Sequence, residues 1–217
     1  MAFTGVLFDC FRTLVMVGSF QGWLGRAVEA SGDGPVMQEE DVAEVLRTVW
    51  ARAADRYPDA RWDLDPHLHR EVFEGILTSE AGCTRRLAGV LYDTMPDQWR
   101  PAPGAVELLQ SLRAGGYRVG LLSNTGIDLR PRLADLGLLA LLDTVVLSFE
   151  EGMVKPDPRI FGLAAERLGV PAGACVFVGD TPNTDGGAVH AGMPSVLIPV
   201  VGGVPQLNIA AGLLVGS

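Results

Sequence analysis

The chain has 217 residues, 48% of them hydrophobic and 20% charged, with a formal net charge of −9 and no basic run. That composition suits one domain with a sizeable core, or one core with a modest insertion, and it excludes nucleic-acid binding through a basic face. Apolar runs are of strand length and the first residues lack the charged and apolar segments of a signal peptide, so no membrane span and a cytoplasmic location are expected.

In chain order, Gly5-Val-Leu-Phe-Asp9 is a short apolar run ending in an acid, read as a buried strand. Cys10 is expected to continue it on the opposite face. Cys10, Cys83 and Cys175 are widely spaced with no CxxC, which fits neither a disulfide framework nor a zinc site. Residues 20 to 100 read as helices. Phe20, Trp23, Leu24, Ala27 and Val28 fall on one face, as do Val42, Val45, Leu46, Val49 and Ala53. Two further faces are Val72, Phe73, Ile76 and Leu77, then Leu87, Val90 and Leu91. Turn-rich stretches at 31–35 and 57–59 separate them.

Pro101-Ala-Pro-Gly104 marks a change of pattern. Beyond it helix and strand alternate: a helical face through Ala105, Leu108, Leu109 and Leu112, a strand over 117–122, a helix over 127–136, and a strand over 144–147. A helix over 158–168, a strand over 175–178 and a last strand over 195–198 follow. Repeated βα units predict an α/β fold with a doubly wound, Rossmann-like parallel sheet. Residues 1–14 and 101–217 are the expected core domain, and 15–100 an inserted α-helical cap. The apolar, glycine-rich tail from Val201 has no functional reading.

In such sheets ligands bind beyond the carboxyl ends of the strands. Three predicted strands end in polar residues, at Asp9, at Ser123-Asn124 and at Asp180, and Lys155, the only lysine of the chain, follows a fourth. Taken singly each has a bland reading: Asp9 as a cap, Asp180 to Asp185 as a turn with capping acids, Lys155 as a surface lysine. Together, Asp9, Asp180 and Asp185 supply hard oxygen ligands that suit Mg²⁺. Ser123-Asn-Thr-Gly126 places donors before a helix, as an anion site does. Lys155 supplies a counter-charge. These are the parts that phosphoryl transfer through a carboxylate nucleophile needs.

Val6-Leu-Phe-Asp9-x-x-x-Thr13-Leu resembles the first motif of the haloacid dehalogenase superfamily. Leu121-Leu-Ser123-Asn resembles its second, Lys155-Pro its third, and Val178-Gly-Asp180-x-x-x-x-Asp185 its fourth. Their order and spacing agree up to about Pro199, and the helical block stands where the family inserts its type I cap. The resemblance implies a hydrolase in which Asp9 is the nucleophile supported by Thr13. It gives Ser123, Asn124 and Lys155 to the transferring group. Asp9, Asp180, Asp185 and the backbone carbonyl of Phe11 go to Mg²⁺. The expected partner is a small phosphorylated molecule, with a second copy of the chain left open as a homodimer.

One position departs from the pattern. Family phosphatases place a general-acid aspartate two residues after the nucleophile, where this chain has Phe11. General acid catalysis contributes roughly 10²–10⁴-fold, so an alkyl phosphate is expected to be a poor substrate and an acyl phosphate a better one. Arg12 is too basic to donate the proton; His67, His69 and Glu71 of the cap could reach down to do so, although the two histidines are expected on its solvated surface. Phe20, Trp23 and Trp62 are the expected specificity residues. Two alternatives stay open. One is a 2-haloacid dehalogenase, whose relatives carry an aromatic residue where Phe11 stands. The other is a catalytically weak domain kept for binding or regulation. A phosphonatase needs a cap lysine, and residues 15–100 hold none.

Overall fold

The computed structural model describes residues 3–215. The chain forms two compact units: one of residues through Met16 and from Arg100 onward, the other Val17–Trp99. Among the described residues no helix is long and apolar enough to cross a membrane.

The first unit is built on a five-stranded sheet. From one edge to the other its strands are Thr144–Leu147, Arg118–Ser123, Gly5–Phe8, Cys175–Gly179 and Ser195–Leu197. All four strand pairs are parallel. The central strand, Gly5–Phe8, is buried along its whole length, as a parallel strand covered on both faces must be. Its register sets Phe8 against Leu121 on one side and Val178 on the other. On one face Leu7, Leu122, Val146 and Phe177 pack with Ile160, Phe161 and Leu168 of the helix Pro158–Leu168. Phe161 meets Phe177 edge-on at 5.1 Å between ring centroids. That helix is bounded by its own sequence. Asp157 caps the amide of Arg159, Pro158 takes the first turn, and Gly169 closes it in the left-handed region.

Two expected elements differ. The helix expected over 127–136 is confined to Arg130–Asp135. Local side-chain bonds take the preceding backbone: Ile127 N–H donates to Thr125 Oγ1 and Arg130 N–H to Asp128 Oδ1. Cys10 is not a strand residue, because the strand stops at Phe8. Its carbonyl instead accepts from Leu14 and Val15 in a tight turn, and burial holds its thiol far above the usual range. The tail makes a short antiparallel pair, Val200–Val201 with Val204–Pro205, and a helix Leu207–Leu214.

The second unit holds four helices: Phe20–Ser31, Glu39–Arg56, Pro66–Glu80 and Arg85–Asp93. The buried residues of each fall on the face that the apolar spacing predicts. Asp65 and Thr84 cap two of them through side-chain oxygens. Trp23 is a core residue rather than a specificity surface: it is 2% exposed and its indole donates to Thr94 Oγ1 at 3.0 Å. His69 is likewise not on a solvated surface. Its ring is tilted against that of Trp50 with centroids 4.2 Å apart, and its Nδ1 lies 2.8 Å from Tyr92 Oη. Burial lowers its pKa to about 3, so it is neutral at physiological pH. His67 and Glu71 are exposed.

Candidate active site at the carboxyl edge of the sheet

Parallel register brings the polar strand ends to one edge. Asp9 follows Phe8, and its amide donates to the carbonyl of Val178 at 2.8 Å, which sets it beside Gly179-Asp180. Ser123 ends the neighbouring strand on the other side.

Lys155 joins these strand ends. Its ammonium donates to Asp9 Oδ1 at 2.5 Å and to Asp185 Oδ1 at 2.7 Å, and lies 5.1 Å from the centre of the Phe177 ring. The residue is 3% exposed. Burial works against its charge, but Asp9 and Asp185 outweigh it and its pKa is raised. Asn124 holds the Lys155 backbone in both directions. Its Nδ2 donates to the Lys155 carbonyl at 2.9 Å, and its Oδ1 accepts from the Lys155 amide at 2.8 Å. Asn124 therefore positions Lys155, using one of the two N–H donors of its amide. The Ser123–Gly126 segment does not open onto a helix end either, since the next helix starts at Arg130.

Asp185 is the most heavily engaged carboxylate. Its Oδ2 accepts from the amides of Asp180 and Thr181, and its Oδ1 from Lys155 and Thr184 Oγ1. The loop wraps so closely that a Cβ on Gly179 would lie 2.2 Å from Asp185 Oδ2, so only glycine fits there. Burial pushes Asp9 up to about 6, Lys155 pulls it down, and Asp185 adds to the rise. Burial also raises Asp180, against the pull of Arg12.

Arg12, too basic to be a proton donor, takes a place at the site that the sequence does not show. Its Nε lies 2.9 Å from Asp180 Oδ2. Its φ of 60° makes it the only non-glycine in the left-handed region among the described residues. Phe11 sits in the same turn, its backbone bridged to Val15. The turn is closed by the Arg12 amide donating to the Val15 carbonyl at 2.7 Å.

Three buried oxygens at this edge have no hydrogen-bond partner among the described residues: Thr13 Oγ1, Ser123 Oγ and Asp180 Oδ2, the last having only the ion-pair contact with Arg12. Buried polar atoms are normally satisfied, so a group of orphans at one strand edge marks a place for a ligand. Asp9, Asp180 and Asp185 each offer an oxygen within 4.8 Å of the others. An all-oxygen set with one orphaned carboxylate oxygen fits a small hard cation that keeps several waters.

The model of the haloacid dehalogenase-like hydrolases matches residues 3–192. Pyrimidine 5'-nucleotidase YjjG of Escherichia coli is 30% identical over 197 residues, covering 89% of this chain and 84% of that protein. Glyceraldehyde 3-phosphate phosphatase of Methanothermobacter thermautotrophicus is 40% identical over 102 residues, 46% of this chain and 45% of its own length. Among solved structures, the L-2-haloacid dehalogenase of Xanthobacter autotrophicus superposes with a TM-score of 0.68 at 22% identity, covering 100% of this chain and 84% of that one. A phosphatase from Thermococcus onnurineus superposes with a TM-score of 0.61 at 23% identity, over 93% and 88% of the two chains. These two likenesses speak to the fold, a parallel sheet with flanking helices. The chain belongs to the haloacid dehalogenase-like hydrolases.

Proposed function

We propose that the protein is a Mg²⁺-dependent phosphatase of a small phosphorylated metabolite, with Asp9 as nucleophile and the 15–100 insertion as the family's cap. The observation that carries this reading is the buried Lys155 ammonium bound to Asp9, with the orphaned Ser123 and Thr13 hydroxyls and Asp180 at the same sheet edge. The nucleotidase and phosphatase relatives support it.

In this reading an Asp9 oxygen bonds to phosphorus while the leaving oxygen departs with its bonding pair. Water then attacks phosphorus, and inorganic phosphate and the free Asp9 carboxylate are released. Lys155 aims the Asp9 carboxylate and offsets charge as the anions approach. The Ser123 hydroxyl donates to a phosphoryl oxygen, and Thr13 supports Asp9. Asp9, Asp180 and the Phe11 carbonyl would hold the Mg²⁺, with Asp185 orienting the Asp180 loop. The ion's contribution there is to neutralise charge developing on the phosphoryl oxygens.

Phe11 supplies no proton, and His69 is neutral with its Nδ1 engaged by Tyr92. The preferred substrates are therefore those whose leaving group departs without one, such as acyl phosphates. Phosphate release with Mg²⁺ from acetyl phosphate and from an alkyl phosphate tests this. Rapid turnover of the first only, abolished by Asp9→Asn, is expected. Equal turnover of both means that another group supplies the acid. No phosphate release, with chloride released from a 2-chloro acid, replaces the phosphatase reading with a dehalogenase.

A further inference from the structure

We propose that Arg12 is a built-in competitor of the divalent cation at Asp180, an internal counter-ion that must be displaced before the metal loads. The inference rests on the Mg²⁺ reading above.

Four observations carry it. Arg12 places Nε 2.9 Å from Asp180 Oδ2, an oxygen with no hydrogen-bond donor among the described residues. A cation bound at that oxygen would stand against the guanidinium, and like charges at such a distance repel strongly in a partly buried site. The two partners also differ in freedom. The Asp180 side chain is 3% exposed, whereas that of Arg12 is 66% exposed, so the arginine is the one able to swing out. The backbone gives the third observation. At φ 60° a glycine is free of the strain that a side chain meets, yet an arginine stands here, with its guanidinium against a buried acid. Lastly, the edge holds three carboxylates against two cations, Lys155 and Arg12. Lys155 is locked between Asp9 and Asp185, which leaves Arg12 as the exchangeable charge.

The Arg12–Asp180 contact and the metal are then linked, each weakening the other by the same factor. Isothermal titration of Mg²⁺ into the wild type, Arg12→Gly and Arg12→Asn tests this, since glycine and asparagine both tolerate the left-handed region and remove the charge. Both variants are expected to bind Mg²⁺ at least about fivefold more tightly than wild type. Equal or weaker binding in the variants overturns the role of Arg12 and leaves the Mg²⁺ reading standing. No binding in any of the three proteins overturns both. A second readout needs no variant. The Nε–H resonance of Arg12 in the full-length wild type is expected to shift as Mg²⁺ saturates the protein. A resonance unmoved at saturation means the contact never opens, and sinks the proposal.

Discussion

Two buried nitrogen bases, one in each unit, end in opposite protonation states. Lys155 lies among carboxylates and keeps its proton, its pKa raised by Asp9 and Asp185 in spite of burial. His69 lies against Trp50 and Tyr92, and burial drives its pKa down to about 3. Removal from water penalises both charged forms equally in kind. The neighbours decide the outcome: two anions within hydrogen-bond distance of Lys155, and a phenol and aromatic rings around His69. The first unit thus stores charge at the edge of its sheet, and the second excludes it from its core. Chemistry that needs a fixed cation belongs to the first.

Removing the lysine should break this contrast most severely. Lys155→Met leaves Asp9 and Asp185 buried without their cation, so a loss of about 3–5 kcal/mol of stability is expected at pH 8, measured by urea unfolding. A loss below 1 kcal/mol would mean that solvent already neutralises the pair.

Asp9→Asn works in the other direction. The folded pKa of Asp9, about 6, lies above the ordinary 3.8. The contribution of this group to stability is therefore full below 3.8 and is lost as the pH rises through 6. Asparagine mimics the protonated form, so the variant should gain up to about 3 kcal/mol relative to wild type at pH 8, and much less at pH 4. Unfolding curves at both pH values check the sign. The same substitution should abolish turnover, so stability and activity move oppositely.

Gly179→Ala should cost about 1–3 kcal/mol, because the new methyl must displace the Asp185 carboxylate and with it the Asp180 amide bond. The smallest effect is expected at His69→Phe, about 1 kcal/mol at pH 8, from leaving Tyr92 without its partner. Its signature is at low pH. A histidine with a lowered pKa contributes stability that is full above 6.5 and lost as the pH falls toward 3, by at most about 1.4 kcal/mol per pH unit. The phenylalanine variant should show a flatter acid limb in thermal unfolding between pH 6 and pH 4.

Strand and helix positions were legible because burial imposes a period on the chain. Gly5–Phe8 reads as apolar because both its faces are covered, and the four helices of the second unit show their buried faces at helical spacing. The shared edge of Asp9, Ser123 and Asp180 is legible too, since each ends a predicted strand of one parallel sheet, though singly each has a bland structural reading. Lys155 stood out by being the only lysine.

Other features depended on the folded chain. Trp23, an expected specificity residue, and His69, expected on a solvated surface, are core, because their partners Thr94, Trp50 and Tyr92 lie elsewhere in the chain. Asn124, an expected donor to an anion, also ties down the Lys155 backbone, 31 residues away in sequence, which no local pattern shows. Arg12 left no trace in any periodicity, since its place against Asp180 follows from one left-handed turn and from strands paired across the whole chain. The sequence by itself determined the fold class, the strand edge and the acids on it, because those follow from local pattern and parallel topology. The tertiary structure decided which of these groups are paired, neutral or orphaned, because pairing and desolvation depend on distances that no local pattern encodes.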